Sequence, residues 1–127
     1  MTLMIKQRAV SEVVVLDLTG RLWILDLPLR DLMNGLLADG KRHFVVNLAG
    51  VDYMDSSGLG QLVSIWTSIR NKNGYLTLLN PSKRVRRLFE ITRLHTVFEV
   101  FEQEPAAVEK ARKAKARPFH NVNPPET

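Results

Sequence analysis

The chain contains no cysteine among its 127 residues. This absence excludes a disulfide framework, a thiolate zinc site and a cysteine nucleophile, and it fits a reducing compartment. No apolar run approaches the roughly 20 residues that a membrane-spanning helix needs, and the first residues do not have the pattern of a signal peptide. We therefore expect a cytoplasmic protein without a membrane span.

Sequence patterns of the common enzyme and cofactor sites are also missing. Gly58-Leu59-Gly60 lacks the third glycine of a dinucleotide-binding loop, because Val63 stands at that spacing. The sequence has no phosphate-binding loop with its lysine, no metalloprotease helix and no glycine-flanked catalytic serine. His43, His95 and His120 are scattered, and each is more typical of a core edge or surface than of a base or ligand. We predict no enzyme activity, no cofactor and no metal site.

The hydrophobic pattern alternates between strands and helices. It predicts strands at 3–9, 13–18, 43–48, 75–79 and 97–101, and helices after Pro28, from Leu59 to Ile69, after Ser82 and from Pro105 to about Lys115. This order favours an α/β domain with a mixed, largely parallel sheet of four to five strands covered by about four helices. Residues 1–116 form the predicted domain, and the proline-containing segment 117–127 is predicted to be a disordered tail.

A polar turn between a buried strand and a helix is the most informative segment. Ser56 and Ser57 stand at the predicted start of that helix, where backbone N–H groups point outward and the helix dipole is positive. A serine at this position serves either as a helix cap or as a phosphate acceptor, and the spacing alone leaves both open. Asp52 and Asp55 are more typical of local hydrogen bonds to the turn than of a pair of catalytic carboxylates.

The run Asp52-Tyr53-Met54-Asp55-Ser56-Ser57-Gly58-Leu59-Gly60 resembles the signature of the STAS domain of bacterial anti-sigma-factor antagonists. The segments 18–22, 46–48, 73–80 and 85–98 are also similar to parts of that family. The resemblance implies a STAS fold and a protein that binds an anti-sigma factor, itself a serine kinase, and thereby frees a sigma factor. It also implies that the kinase phosphorylates the first serine, Ser56, and that a PP2C-type phosphatase reverses the reaction.

The predicted switch turn and partner surface comprise Asp52, Asp55, Ser57, Gly58, Leu59 and Trp23. We expect Asp55 to shape the turn, Ser57 to cap or flank the helix, and Gly58 to let a partner backbone come close. Trp23 stands in an irregular segment, which predicts partial exposure and a contact role.

Three other functions remain open. A STAS-like domain also serves as a scaffold in signalling complexes or as an accessory subunit of membrane transporters. Two basic clusters offer a nucleic-acid surface or a docking site for an acidic protein or anionic lipid, although solvated helix faces are the favoured interpretation. These clusters are Lys83, Arg84, Arg86 and Arg87, and Lys110, Arg112, Lys113, Lys115 and Arg117. A nucleotide-binding protein ranks last, and direct nucleic-acid binding is not expected.

Overall fold

The computed structural model describes residues 3–23 and 28–114. Its strands are Met4–Val10 (β1), Val13–Leu22 (β2), His43–Met54 (β3), Tyr75–Leu79 (β4) and Val100–Phe101 (β5). Its helices are Pro28–Ala38 (α1), Ser56–Asn71 (α2), Lys83–Ile91 (α3) and Glu104–Lys113 (α4). A short 3-10 helix, Leu94–Thr96, precedes β5.

The five strands form one sheet in the order β1-β2-β3-β4-β5. β1 and β2 are antiparallel, because a two-residue turn joins them, whereas each later pair is parallel and is connected through a helix. The predicted mixed, largely parallel α/β sheet is therefore confirmed. Since α2 follows β3 and α3 follows β4, both helices begin at the edge of the sheet where these parallel strands end.

The helices cover the two faces of the sheet unequally. Alternate residues of β2 point to opposite faces, so Val14 and Leu16 join one cluster while Val13 and Val15 join the other. The larger cluster includes apolar residues of α1, α2 and α3, whereas α4 is the only described helix that contributes to the smaller one. This asymmetry places the start of α2 over one face of the sheet.

The strand ends differ from the prediction near the polar turn. β2 does not end at Gly20, which has a positive φ of 110° and is followed by a register shift, but continues to Leu22. β3 continues beyond Leu48 to Met54, because the end of β2 pairs with it. Conversely, the last strand is shortened to Val100–Phe101. The predicted tail, 117–127, lies outside the described residues.

A network of polar side chains joins α4 to the face of the sheet that it covers. The Arg8 guanidinium donates to both carboxylates of Asp17 and Glu104, with Nε–Oδ2 at 2.7 Å and Nη2–Oε1 at 2.6 Å. These hydrogen bonds hold the pKa of Asp17 and the pKa of Glu104 below their ordinary values. Asn47 also donates to Asp17, at 2.8 Å. Because the partners come from β1, β2, β3 and α4, the network ties the sheet to the helix that covers this face.

Candidate functional site

The candidate site is formed by the ends of β2 and β3 and the start of α2. Leu22 pairs with Met54 in the last rung of the parallel ladder, so the chain leaves both strands at the same edge. Two residues after Met54, α2 begins at Ser56. The predicted serine turn therefore lies at the carboxyl edge of the sheet, where ligands bind in open α/β folds.

Asp55 is the N-cap of α2. Its backbone is extended, with φ −106° and ψ −173°, and its Oδ1 accepts a hydrogen bond from the Gly58 N–H at 2.9 Å. The prediction that Asp55 shapes the turn is thus confirmed in its geometry. The alternative that Ser57 caps the helix is wrong, because Ser57 is already the second helical residue and only flanks the turn. Asp55, Ser56 and Ser57 are all of residue types that cap helices, so the sequence does not determine which of them is the N-cap.

Gly58 packs against the chain's own backbone. A Cβ atom at Gly58 would lie 1.9 Å from the Leu22 carbonyl oxygen and 2.7 Å from its carbon. The expectation that Gly58 admits a partner backbone is therefore wrong, because Leu22 occupies that space. Leu59 is also buried, with 6% of its surface exposed, so it belongs to the core and not to an open partner surface.

Ser56 remains as the exposed hydroxyl at the start of α2. It is the first helical residue, and backbone N–H groups of a first helical turn lack partners within the helix. Together with the positive end of the helix dipole, they provide a favourable environment for an anion attached to this side chain. Asp52 is exposed near the end of β3, and Ser57 is half-buried. This arrangement suits a phosphate acceptor.

A cation and two aromatic rings lie beside the turn. The Arg21 guanidinium carbon is 5.4 Å from the Trp23 ring centroid and 5.5 Å from that of Tyr53, at cation–π distance from both. Gln61 of α2 donates to the Trp23 carbonyl at 2.7 Å. Trp23 is half-buried, in agreement with its predicted partial exposure.

Arg21, Tyr53 and Gln61 are not among the site residues predicted from the sequence. Arg21 and Tyr53 are 32 positions apart and meet only because β2 and β3 pair in this register. Gln61 has the spacing of the apolar stripe of α2, and only the folded chain shows that it reaches Trp23. Their proximity is a property of the sheet register, which local sequence does not encode.

The basic residues of α4 lie away from this turn, since α4 covers the opposite face of the sheet from α2. Lys110, Arg112 and Lys113 occupy the last turn of α4, and Glu109 pairs with Arg112 at 3.0 Å and with Lys113 at 2.8 Å. Lys115 and Arg117 lie outside the described residues. Within residues 3–23 and 28–114, no group of three or more acidic or histidine side chains has an arrangement that fits a metal ion. No helix in these same ranges has the length and apolarity needed to cross a membrane.

Comparison with known proteins assigns the fold to a family. The STAS domain family model matches residues 4–107. An anti-sigma-B factor antagonist of Staphylococcus aureus is 38% identical over 84 residues, which cover 65% of this chain and 78% of the relative. The structure of the Bacillus cell fate determinant SpoIIAA in its phosphorylated form is 25% identical, with a TM-score of 0.65 over 81% of this chain and 96% of that one. An anti-sigma factor antagonist from Mycobacterium paratuberculosis shares the fold, with a TM-score of 0.78 at 19% identity over 88% of this chain and 96% of that chain.

Proposed function

The chain belongs to the STAS domain family, and from this premise we propose that it is an anti-sigma factor antagonist switched by phosphorylation of Ser56. Unphosphorylated, it binds an anti-sigma factor in the cytoplasm and so frees a sigma factor for transcription. It acts as a binding module and as a kinase substrate, not as an enzyme. The similarity to the anti-sigma-B factor antagonist of Staphylococcus aureus supports this role.

The exposure of Ser56 is the observation that supports the switch most directly. Of the six residues from Asp55 to Gly60, only Ser56 and Gly60 are exposed, and Ser56 alone of these two carries a hydroxyl. Asp55 already caps the helix, so the Ser56 hydroxyl is not needed for that purpose. A kinase can therefore modify it without removing the cap.

A phosphate on Ser56 changes the surface more than the fold. It adds about −1.5 to −2 charges, which the N-terminal end of α2 partly offsets. On the partner side, the added bulk and charge oppose an interface formed with the unmodified hydroxyl. A penalty of about 3 kcal/mol in the free energy of binding weakens association about a hundredfold, which is enough to exchange partners.

We further propose that the anti-sigma factor is itself the serine kinase and that a PP2C-type phosphatase restores the hydroxyl. The partner then contacts the exposed residues around the turn. Asp52, Ser56 and the Arg21–Trp23–Tyr53 group form this surface, since Gly58 and Leu59 are buried. The half-buried Ser57 lies at its margin.

The test is a pull-down from native lysate with the wild type, Ser56→Ala and Ser56→Asp as baits, followed by mass spectrometry. We expect an anti-sigma factor with kinase sequence features to bind the wild type and Ser56→Ala and to be lost with Ser56→Asp. The phosphate on the wild-type bait is expected at Ser56.

Ser57→Ala is the matched control, because it removes the neighbouring hydroxyl and leaves the proposed acceptor in place. Incubated with the recovered kinase and ATP, Ser57→Ala is expected to incorporate phosphate as the wild type does, and Ser56→Ala to incorporate none. An unchanged set of partners across the Ser56 baits would refute the switch and favour a constitutive scaffold or transporter subunit.

A further inference from the structure

The exposed side of α3 carries a dense group of positive charges. Lys83, Arg84, Arg86 and Arg87 fall within the first five residues of this helix, and we call them the α3 basic face. Lys83, Arg84 and Arg87 are exposed. Arg86 is half-buried, with its Nη2 4.0 Å from Glu102 Oε2, and within the described residues it is the only one of the four in an ion pair.

This placement opposes the stability of the helix. The N-terminal end of a helix is the positive end of its dipole, so cations there are unfavourable, and the first turn of α3 contains no acidic residue. Lys83 also stands four positions before Arg87, and Arg84 three before it, spacings at which like charges repel. By contrast, the basic residues of α4 lie in its last turn, where the dipole favours them.

Charges that a fold does not need for stability point to a role in binding. Local rules of this kind are broken mainly at functional sites. The four basic residues and Glu90 line a shallow groove of about 330 Å³ on the protein surface. None of the described residues that line it is aromatic or aliphatic, so they offer neither a stacking platform for bases nor an apolar face for a membrane.

The α3 basic face lies at the same edge of the sheet as Ser56. β3 and β4 are parallel neighbours, α2 begins two residues after β3, and α3 begins four residues after β4. The first turns of both helices therefore lie at one edge. A partner that covers the Ser56 turn has the basic face within its reach.

We propose that the α3 basic face binds an acidic segment of the same protein partner that covers Ser56, an inference that rests on the proposed function. The positive charges attract the acidic segment and speed the encounter. A phosphate on Ser56 adds negative charge to the same edge and reduces that attraction. The switch then acts on the rate of association as well as on the contact at the turn.

The test compares two variants with the same loss of charge. The first is the triple variant Lys83→Gln, Arg84→Gln and Arg87→Gln. The control replaces three other exposed lysines, Lys6→Gln, Lys41→Gln and Lys72→Gln. The probe is a fluorescein-labelled oligoglutamate peptide, with binding to the unphosphorylated protein followed by fluorescence anisotropy at low salt.

We expect the α3 variant to weaken peptide binding by about tenfold or more and the control to weaken it much less. The thermal midpoint of the α3 variant is expected to equal or exceed that of the wild type, because repulsion at the helix start is removed. A lower midpoint, or equal weakening by the two variants, would overturn the proposal. Tighter binding of a DNA duplex or of phosphatidylserine vesicles through the same three residues would also overturn it.

The recovered anti-sigma factor provides the second readout. Its association rate with the α3 variant is expected to fall about tenfold, with a weaker dependence on salt than for the wild type. An unchanged rate would refute the docking role while leaving the Ser56 switch intact. Failure of the Ser56 pull-down, in contrast, would leave the peptide result standing, so the two proposals fail separately.

Discussion

Replacing Gly58 by alanine tests how closely the start of α2 is held against the end of β2. The added Cβ would lie 1.9 Å from the Leu22 carbonyl oxygen, whereas a carbon and an oxygen normally approach to about 3.3 Å. The obstacle is backbone, so a side-chain rotation cannot relieve it. The start of the helix must move by more than about 1 Å, and overpacking of this kind costs about 3 kcal/mol of unfolding free energy.

Gly60 provides the matched control two residues further along the same helix. A Cβ at Gly60 meets nothing within 4 Å, so Gly60→Ala is expected to stabilise the protein by about 0.5–1 kcal/mol through helix propensity alone. At about 4 °C per kcal/mol, thermal unfolding followed by circular dichroism should show a midpoint about 12 °C lower for Gly58→Ala and a few degrees higher for Gly60→Ala. Equal midpoints for Gly58→Ala and the wild type would refute the close approach.

Three further outcomes follow from named contacts. Asp55→Ala should lower the unfolding free energy in urea by about 1 kcal/mol through loss of the helix cap, and Asp55→Asn by much less, whereas equal losses would contradict the capping role. Since the pKa values of Asp17 and Glu104 are lowered, their stabilisation is complete above the ordinary carboxyl range and is lost as pH falls below that range through the lowered pKa values. Arg8→Met should therefore flatten the acid limb of a curve of unfolding free energy against pH. Burial and a hydrogen bond to Glu99 raise the pKa of Tyr75, so ultraviolet titration should show this phenol ionising above its ordinary value, and a normal titration would contradict the contact.

The order and type of the elements could be predicted from local sequence. Tyr75–Leu79 and the N-cap Ser82 match their predicted positions, because a short β-forming run and a capping serine are local signals. Such features depend on a few neighbouring residues, and no distant contact overrides them here.

Features set by contacts between distant segments could not be predicted. The extension of β3 to Met54 depends on its pairing with the end of β2. The contact between Gly58 and Leu22 is visible only in the folded chain, so the sequence favours a partner contact at Gly58 instead. The Arg21–Tyr53 pair likewise depends on sheet register. Sequence reasoning therefore located the turn before α2 but not the residues that surround it.

Within the described residues, α4 is the one helix on the second face of the sheet, and this has a consequence for how the protein opens. α4 buries mainly small side chains, Ala107 and Ala111 with Val108, against the sheet, so little apolar surface resists its detachment. We expect its amide protons to exchange with solvent through local opening well before those of α2, which contributes four large apolar side chains to the main core. The Arg8–Glu104 hydrogen bond joins β1 to the start of α4 and therefore opposes this local opening. The back of the sheet can thus be uncovered while the turn at Ser56 stays folded.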